Sequence, residues 1–208
     1  MKQIGLVLFI GFALSLCNLS ERLHKSGSSS SNSGGGSISE NEAQPERAQP
    51  TAAQTAALNG GKEAKWERQG MSFTVPPGWT EAQQESKTFS WRSPGDGAAS
   101  LIVSISPMSD EFPVESANTA TFEGAKTRAK NGEVDELKWV EIDGLKGVQF
   151  REANPEQGDD HRRLQFMTYR KYTGQVQGVN VMLASEGKDF ERHKDAMYGI
   201  LYSMKITH

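Results

Sequence analysis

The stretch GMSFTVPPGW, residues 70–79, marks where the folded part of this chain begins. Within it, Phe73 and Val75 alternate with polar residues, which is the two-residue period of a half-buried strand. The two prolines that follow cannot donate to a strand ladder, so the strand must end there. Gly78 can adopt a positive φ, and Trp79 then offers a large apolar surface to the residues beneath it. The stretch therefore predicts a strand, a tight turn and the edge of a core.

Upstream of this stretch the composition is that of a flexible linker. A Gly/Ser-rich run, SGSSSSNSGGGS, begins at Ser26, and an Ala/Gln/Pro/Glu-rich segment follows it. Both have too few apolar residues to offset the entropy lost on ordering. We therefore expect residues 18–64 to form a disordered tether. A coil of about 47 residues has an r.m.s. reach of roughly 35–40 Å, enough to hold a domain away from a membrane surface.

Residues 1–17 have the features of an export signal. Lys2 provides a positive start, and Ile4–Leu16 is a largely apolar run that is shorter than the roughly 20 residues a membrane span needs. Cys17 then follows Leu-Ser-Leu, an order that resembles the lipobox of bacterial lipoproteins, in which the cysteine is acylated. The residue before that cysteine is normally small, and here it is Leu16. Ordinary cleavage after Ser15 and an uncleaved anchor are therefore alternatives to lipidation.

Composition excludes several classes of function for the remaining part of the chain. Lys65–His208 contains 18 Lys+Arg and 21 Asp+Glu, so its net charge is −3 (18 − 21). No basic stripe is present, so nucleic acid is not an expected partner. The chain's single cysteine is Cys17, so the domain has no disulfide, no thiolate nucleophile and no cysteine metal site. About 144 residues are enough to bury one core.

The domain has the pattern of hairpin-connected strands interrupted by two helices. Strands are predicted at Gly70–Val75, Thr88–Trp91, Ala98–Ser106, Leu137–Ile142, Leu145–Glu152, Arg162–Tyr172 and Val176–Ser185. One helix is expected to begin at Pro113 and to stop at Asn131. A second has Asp189 as its candidate N-cap and an apolar stripe from Phe190 to Met204. This order predicts an α+β fold, in which helices pack on an antiparallel β-sheet of about six or seven strands.

Two segments carry more specific expectations. Glu81–Lys87 is polar and is predicted to be a loop or a single turn. Gly124 interrupts the first helix, where a glycine costs up to about 1 kcal/mol relative to alanine. We expect that it marks a close approach of the helix to the sheet.

The same motifs resemble the PsbP-like fold. They are Gly70–Trp79, the strand ASLIVSISP (Ala98–Pro107) followed by a helix, the hairpin EIDGLKGVQF (Glu141–Phe150) and the closing LYSMKI (Leu201–Ile206). That fold is shared by an extrinsic subunit of photosystem II, a Ran-binding nuclear import factor and many exported bacterial lipoproteins. The resemblance implies an α/β/α sandwich over residues 65–208 and an exported lipoprotein of unknown function. Its motifs are packing and turn residues, which say little about chemistry.

A search for chemistry yields no catalytic or cofactor-binding motif. His193 falls on the apolar stripe of the second helix, which is typical of a core histidine. Asp159–His161 places three possible metal ligands in one loop, but adjacent residues rarely converge on one ion. The acidic groups Asp110–Glu111 and Glu133–Glu136 are interpreted as solvated loops. We therefore expect no catalytic residue, no metal ligand and no cofactor, with Cys17 as the single modified position.

Three functions are compatible with these features. The first is an exported, membrane-tethered, non-enzymatic module that binds a protein partner in the bacterial cell envelope, anchored through Cys17 or released into the periplasm. The second is a carrier or sensor of a small apolar ligand, which requires a continuous pocket. Its lining would be several of the tryptophans and one of two methionines: Trp66, Trp79, Trp91, Trp139, Met167 and Met182. The third is a hydrolase whose polar residues converge in a cleft. The export signal, the tether and the missing motifs favour the first.

Overall fold

The structure is a computed structural model that describes residues 37–42, 44–95 and 98–208. The helices are α1 (Ala52–Ala57), α2 (Val114–Lys130) and α3 (Gly187–Tyr202). The strands are β1 (Ile38–Ser39), β2 (Glu46–Arg47), β3 (Lys62–Trp66), β4 (Met71–Val75), β5 (Thr80–Gln84), β6 (Thr88–Arg92), β7 (Ser100–Pro107), β8 (Val134–Ile142), β9 (Leu145–Glu152), β10 (His161–Tyr172), β11 (Gln175–Glu186) and β12 (Lys205–Ile206). The predicted signal peptide, residues 1–17 with Cys17, lies outside the described residues.

The described strands form two sheets. The large sheet has nine strands in the order β1-β8-β9-β10-β11-β7-β6-β5, with β2 also paired to β8. Neighbours from β8 to β5 are antiparallel, whereas β1 and β2 run parallel to β8. The second sheet is antiparallel and has the order β12-β4-β3. The predicted α+β class is confirmed, but the sheet is larger than expected and mixed, because the N-terminal segment adds parallel strands to it.

Alternate strand positions divide the apolar side chains between two cores, one on each face of the large sheet. On one face α2 packs against β8, and the rings of Phe122 and Trp139 stack with centroids 4.9 Å apart. On the other face α3 and the small sheet enclose a larger core that contains Phe73, Phe166 and Phe190. The layers are therefore helix, sheet and helix, as expected for a sandwich with helices on both faces.

The stretch at residues 70–79 lies in the small sheet. Met71–Val75 forms β4, which pairs with β3 on one side and β12 on the other. Gly78 has φ of +80°, and Trp79 is only 4% exposed. The predicted strand, turn and buried tryptophan are confirmed. β4 is nevertheless the middle strand of a separate sheet, because the last residues of the chain return to pair with it.

The predicted disordered tether is wrong for the described residues from 37 to 64. They form β1, β2, α1 and the first residues of β3. Helix α1 has a capping box, in which Thr51 Oγ1 accepts from the Gln54 backbone N–H at 3.2 Å and Gln54 Oε1 accepts from the Thr51 N–H at 2.9 Å. A segment too polar to build its own core is thus ordered by capping and by pairing with a sheet that already exists.

The structure at Gly124 and in Glu81–Lys87 also differs from what the sequence predicted. An added Cβ at Gly124 would meet nothing within 4 Å, so this glycine marks no close approach. Residues Thr80–Gln84 of the predicted loop form β5, an exposed strand at the sheet edge. Its residues are all polar or small, so they show no alternation that would reveal a strand in the sequence.

Helix α3 begins earlier than the sequence suggested. It starts at Gly187 rather than after Asp189, and its N-cap residue is Glu186. The preceding loop satisfies the first helical amides, since Gly187 N–H donates to the Asp160 carbonyl at 2.8 Å and Lys188 N–H to the Gly158 carbonyl at 3.0 Å. Backbone from a distant loop therefore performs the capping role that the sequence assigned to a side chain.

Candidate functional site

A group of polar side chains interrupts the apolar face of the sheet beneath α3. We call it the polar cluster, and its members are Asp135, Glu136, Lys138, Gln149, Arg151, Arg162, Tyr198 and Tyr202. It opens into a surface pocket of about 360 Å³. The pocket is lined by cluster members together with residues of α3 and the N-terminal segment: Gln49, Thr51, Gln54, Glu136, Lys138, Arg151, Lys194, Tyr198 and Tyr202. It is the place in the described structure where polar groups converge in a cleft beside α3.

A β-bulge at Asp135 sets the geometry of the polar cluster. Val134 lies opposite Glu152 and Glu136 lies opposite Arg151, so Asp135 is an extra residue in β8. In a regular strand, neighbouring side chains point to opposite faces, whereas a bulge re-aims one of them. Both acids consequently reach Arg151, with Asp135 Oδ1 2.7 Å from Nε and Glu136 Oε2 3.3 Å from Nη1.

Arg162 completes the charge pairing on the buried side of the cluster. Its side chain is 3% exposed, and its guanidinium pairs with Asp135 and with Glu191, the latter at 3.0 Å. Nε also donates to the Glu152 carbonyl at 2.8 Å. Burial acts to lower the pKa of Arg151, but its hydrogen bond to Asp135 and the nearby Tyr198 and Glu136 outweigh burial and raise that pKa above its usual value. Arg151 therefore stays charged.

Two tyrosines of α3 close the cluster from above. Tyr198 Oη donates to Glu136 Oε2 at 2.7 Å, and Tyr202 Oη donates to Gln149 Oε1 at 3.1 Å. Burial raises the pKa of Tyr198 well above its usual range, and the negative charge of Glu136 raises it further. Burial also raises the pKa of Tyr202, although Lys138 partly opposes that shift. Both phenols are consequently neutral hydrogen-bond donors at physiological pH.

The carboxylate of Glu136 is occupied on both oxygens. Oε1 accepts from Gln149 Nε2 at 2.7 Å, and Oε2 accepts from Tyr198 at 2.7 Å while it also pairs with Arg151. A carboxylate held in this way has little capacity to take a proton from a substrate. The cluster therefore presents fixed donors and charges, which suit recognition of a polar group better than proton transfer.

Beside this region lies a segment that we call the strap, residues 37–48, of which the structure describes 37–42 and 44–48. Its β1 part pairs with Leu137 and Lys138, and its β2 part pairs with Val140 and Glu141. The strap thus follows the outer edge of β8. Glu46 of the strap lies 3.2 Å from Lys138 Nζ, so the strap also contacts the polar cluster.

The histidines and acids considered in the sequence do not assemble into a site. His193 is half-buried on α3, which agrees with a satisfied or half-buried histidine on the apolar stripe. Asp159 pairs with Lys188 at the start of α3, and His161 is exposed. His208 Nδ1 lies 2.9 Å from the Ile206 carbonyl oxygen. Within residues 37–42, 44–95 and 98–208, no group of His, Cys, Asp and Glu is arranged to hold a metal ion.

The four tryptophans are core residues. Trp66, Trp79 and Trp91 belong to the larger core, and Trp139 belongs to the core under α2. Met167 lines a pocket of about 70 Å³ that no tryptophan lines, whereas ligand pockets usually measure about 300–1,000 Å³. Trp66 and Trp79 each line a larger surface pocket, of about 430 and 390 Å³, but neither lining includes a second tryptophan or a methionine. The structure therefore gives no support to a carrier of an apolar ligand between sheet and helix.

The interpretation of Glu133–Glu136 as a solvated loop is wrong for its last two residues, because Asp135 and Glu136 lie in β8 and pair with Arg151. Asp110 and Glu111 are exposed, as expected. The sequence did contain a signal for the missed residues. Gln149 and Arg151 alternate with Val148 and Phe150, and Tyr198 and Tyr202 are four apart on one helix face. The alternation places Gln149 and Arg151 on the face opposite Val148 and Phe150, and in the structure α3 covers that face, so both are buried.

Comparisons with known proteins show the fold and no more than the fold. No family model and no curated protein matches the chain. LpqN of Mycobacterium tuberculosis, described as involved in cell envelope biogenesis, has a similar structure with 12% identity and a TM-score of 0.52, and the match covers 79% of this chain and 90% of LpqN. Cyanobacterial PsbP from Synechocystis sp. PCC 6803 matches with 12% identity and a TM-score of 0.46 over 71% of this chain and 92% of PsbP.

A protein of Bacteroides thetaiotaomicron matches with 14% identity and a TM-score of 0.43 over 67% of this chain, which spans only 46% of that protein. The likeness to LpqN shows the PsbP-like fold, so the fold recognised from the sequence is confirmed. Among the helices of the described residues, none is long and apolar enough to cross a membrane.

Proposed function

We propose that this chain is an exported, membrane-tethered, non-enzymatic module that binds a protein partner in the bacterial cell envelope. The proposal rests on one observation: the charged side chains of the polar cluster already have hydrogen-bond and ion-pair partners within it. Its acids, Asp135 and Glu136, are paired with the buried side chains of Arg151, Arg162 and Tyr198. These pairs hold the pocket beside α3 in a fixed shape before a partner binds.

The hydrolase alternative required polar residues that converge in a cleft, and the pocket beside α3 provides such a convergence. It does not favour catalysis, because Tyr198 has a raised pKa and Glu136 is fully hydrogen-bonded. A general base needs a pKa near the working pH and a free lone pair. Tyr198 does not meet the first requirement, and Glu136 does not meet the second.

Export and tethering rest on the N-terminal sequence. Lipidation of Cys17 would place the domain at the end of a linker on a membrane surface, which suits an accessory subunit. The fold shared with LpqN, a protein involved in cell envelope biogenesis, supports the same location. The intact mass of the mature protein from a membrane fraction tests this step: a diacyl or triacyl mass on Cys17 supports tethering, and cleavage after Ser15 rejects it.

Partner binding is tested by recovery from cross-linked membranes with the tagged full chain. A variant of the pocket rim, Lys194→Glu, is compared with Lys205→Glu, since Lys205 lies outside the pocket lining and makes the same charge change. We expect a protein that the wild-type chain and the Lys205 variant recover and the Lys194 variant loses. Equal recovery by all three chains, or no enriched protein, would reject the pocket as the binding site.

A further inference from the structure

We propose that the outer edge of β8 is a docking site for an extended, acidic segment of a partner protein, and that the strap is its removable occupant. This inference rests on the proposed function, because it names the chemistry of the partner. It follows from three observations on the strap: how little backbone pairing holds it, which charges it meets, and how shallowly it is buried.

The backbone of the strap pairs with β8 in two short segments, β1 and β2, of two residues each. Leu137 N–H donates to the Ser37 carbonyl at 3.0 Å, and Ala48 N–H donates to the Glu141 carbonyl at 2.9 Å. Between the two pairings the strap advances eight residues (46 − 38) while β8 advances three (140 − 137). The strap and β8 therefore cannot pair residue for residue between these two segments. A regular partner strand would make a continuous ladder along the same edge.

Three glutamates of the strap meet three lysines of the domain. Glu40 pairs with Lys126 of α2 at 2.7 Å, Glu42 with Lys146 of β9 at 3.3 Å, and Glu46 with Lys138 of β8 at 3.2 Å. Lys126 and Lys146 lie on the α2 side of the sheet, where Lys146 Nζ sits 5.3 Å from the Trp139 ring centroid. Lys138 lies on the α3 side, where it meets Tyr202. Arg47 of the strap makes a pair of the opposite polarity with Glu141 of β8, at 3.5 Å. Most of the charges that the strap meets are therefore lysines on the two faces of the sheet beside β8, a pattern that complements a largely acidic strand.

Shallow burial makes the strap easy to displace. The three glutamate side chains are 56%, 41% and 51% exposed, and exposed ion pairs contribute little and are screened by salt. Ile38 is 50% exposed, and the small side chain of Ala48, at the end of the strap, is half-buried against the larger core. The edge beneath is rigid by contrast, because Leu137 and Val140 are almost fully buried.

The opposite edge of the large sheet is built differently. β5 carries a bulge between Glu81 and Gln83, and all its residues are exposed. Bulges are a common means of blocking strand addition. β8 has a bulge as well, at Asp135, but that bulge lies before the residues on which the strap pairs, Leu137–Glu141. The β8 edge is instead protected by a strap that can leave.

The test uses the full chain with Glu40→Gln, Glu42→Gln and Glu46→Gln together. The matched control carries Glu81→Gln, Glu111→Gln and Glu156→Gln, which changes the net charge equally at exposed positions away from the strap. The probe is a labelled, acetylated peptide with the sequence of residues 37–48, SISENEAQPERA, and the control peptide replaces its three glutamates with glutamine. Binding is measured by fluorescence anisotropy, and occupancy of the edge by hydrogen exchange at the Leu137 amide.

We expect the acidic peptide to bind the strap variant about tenfold more tightly than the control chain, because three weak ion pairs no longer hold the competitor. Binding should weaken with added salt, the glutamine peptide should bind worse, and the peptide should restore protection of the Leu137 amide. Equal binding to both chains, or unchanged Leu137 exchange, overturns the docking site. Dimerisation of the strap variant without peptide also overturns it, because a second copy would then occupy the edge. Recovery of a membrane partner despite these failures would leave the proposed function standing.

Discussion

Arg151 Nε donates to Asp135 Oδ1 at 2.7 Å across the β8–β9 pair, and this contact exists because Asp135 is the extra residue of a bulge. In a regular strand, Asp135 and Glu136 would point to opposite faces of the sheet, and only one of them could reach Arg151. The bulge thereby places two acids against two buried arginines under α3. The charge pairing of the candidate site depends on this single irregularity.

Removing the Asp135 carboxylate should destabilise the domain strongly. Asp135→Ala removes the carboxylate that Arg151 and Arg162 share, although Glu136 and Glu191 still pair with them. Removing one partner of a buried pair costs about 3–5 kcal/mol, and we expect at most about 3 kcal/mol here because those acids remain and Asp135 is 28% exposed. The free energy of unfolding in urea measures the effect. The control is Asp159→Ala, which removes an exposed carboxylate and should leave the urea midpoint unchanged. Equal midpoints for the two variants would show that the cluster is not structurally important.

The tyrosines of the cluster should titrate late in alkali. The chain has four tyrosines, and burial raises the pKa of both Tyr198 and Tyr202. Absorbance at 295 nm should show two phenols ionising above the usual range near pH 10. Tyr198→Phe and Tyr202→Phe should each remove one late phenol; loss of an early one would contradict the assignment.

The same shifts predict how stability depends on pH. A folded-state pKa raised above the unfolded value favours the neutral phenol in the folded chain, so its contribution is fully present below about pH 10 and is lost as pH rises from there towards the folded-state value. The free energy of unfolding should therefore fall above pH 10, and Tyr198→Phe should make that fall shallower. A wild-type chain whose stability stays level from pH 9 to pH 11 would contradict this.

Gly124→Ala should stabilise the domain by up to about 1 kcal/mol, because the position is helical and a Cβ would meet nothing within 4 Å. Gly147→Ala is the matched opposite case, since its Cβ would lie 2.4 Å from the Met167 carbonyl oxygen. Thermal melts of the two variants should shift in opposite directions. A melting temperature lowered by Gly124→Ala would mean that the helix approaches something at this position.

Asp143 should hold the C-terminal strand. It sits in the β8–β9 turn with φ of +50°, and its Oδ2 accepts from the Ile206 N–H at 2.7 Å. Asp143→Gly suits the backbone conformation but loses the acceptor, so the Ile206 amide should exchange faster while the hairpin persists. Asp143→Asn keeps both the acceptor and tolerance of positive φ, and should preserve the protection of Ile206. Unchanged exchange in the glycine variant would show that β12 is held by its pairing with β4 alone.

Local sequence determined the elements whose signals are local. The alternation of Leu101, Val103 and Ile105 specified β7, and the turns at Asp143-Gly144 and Thr173-Gly174 adopt the positive φ values that such hairpins need. The stop of α2 at Asn131 was also predictable. These signals depend on a few neighbouring residues, whose backbone preferences hold in any surroundings.

Tertiary structure alone decided the rest. The strap and β5 are too polar to show a strand pattern, and they are ordered because an existing sheet offers unpaired backbone groups to them. The bulge at Asp135 adds one residue to β8 relative to β9, which nothing in β8 itself encodes. Gln149 and Arg151 resembled a solvent face until α3, almost 40 residues later in the chain, covered them. The alternation of residues in a strand shows that its two faces differ. Which element covers each face depends on contacts between distant parts of the chain.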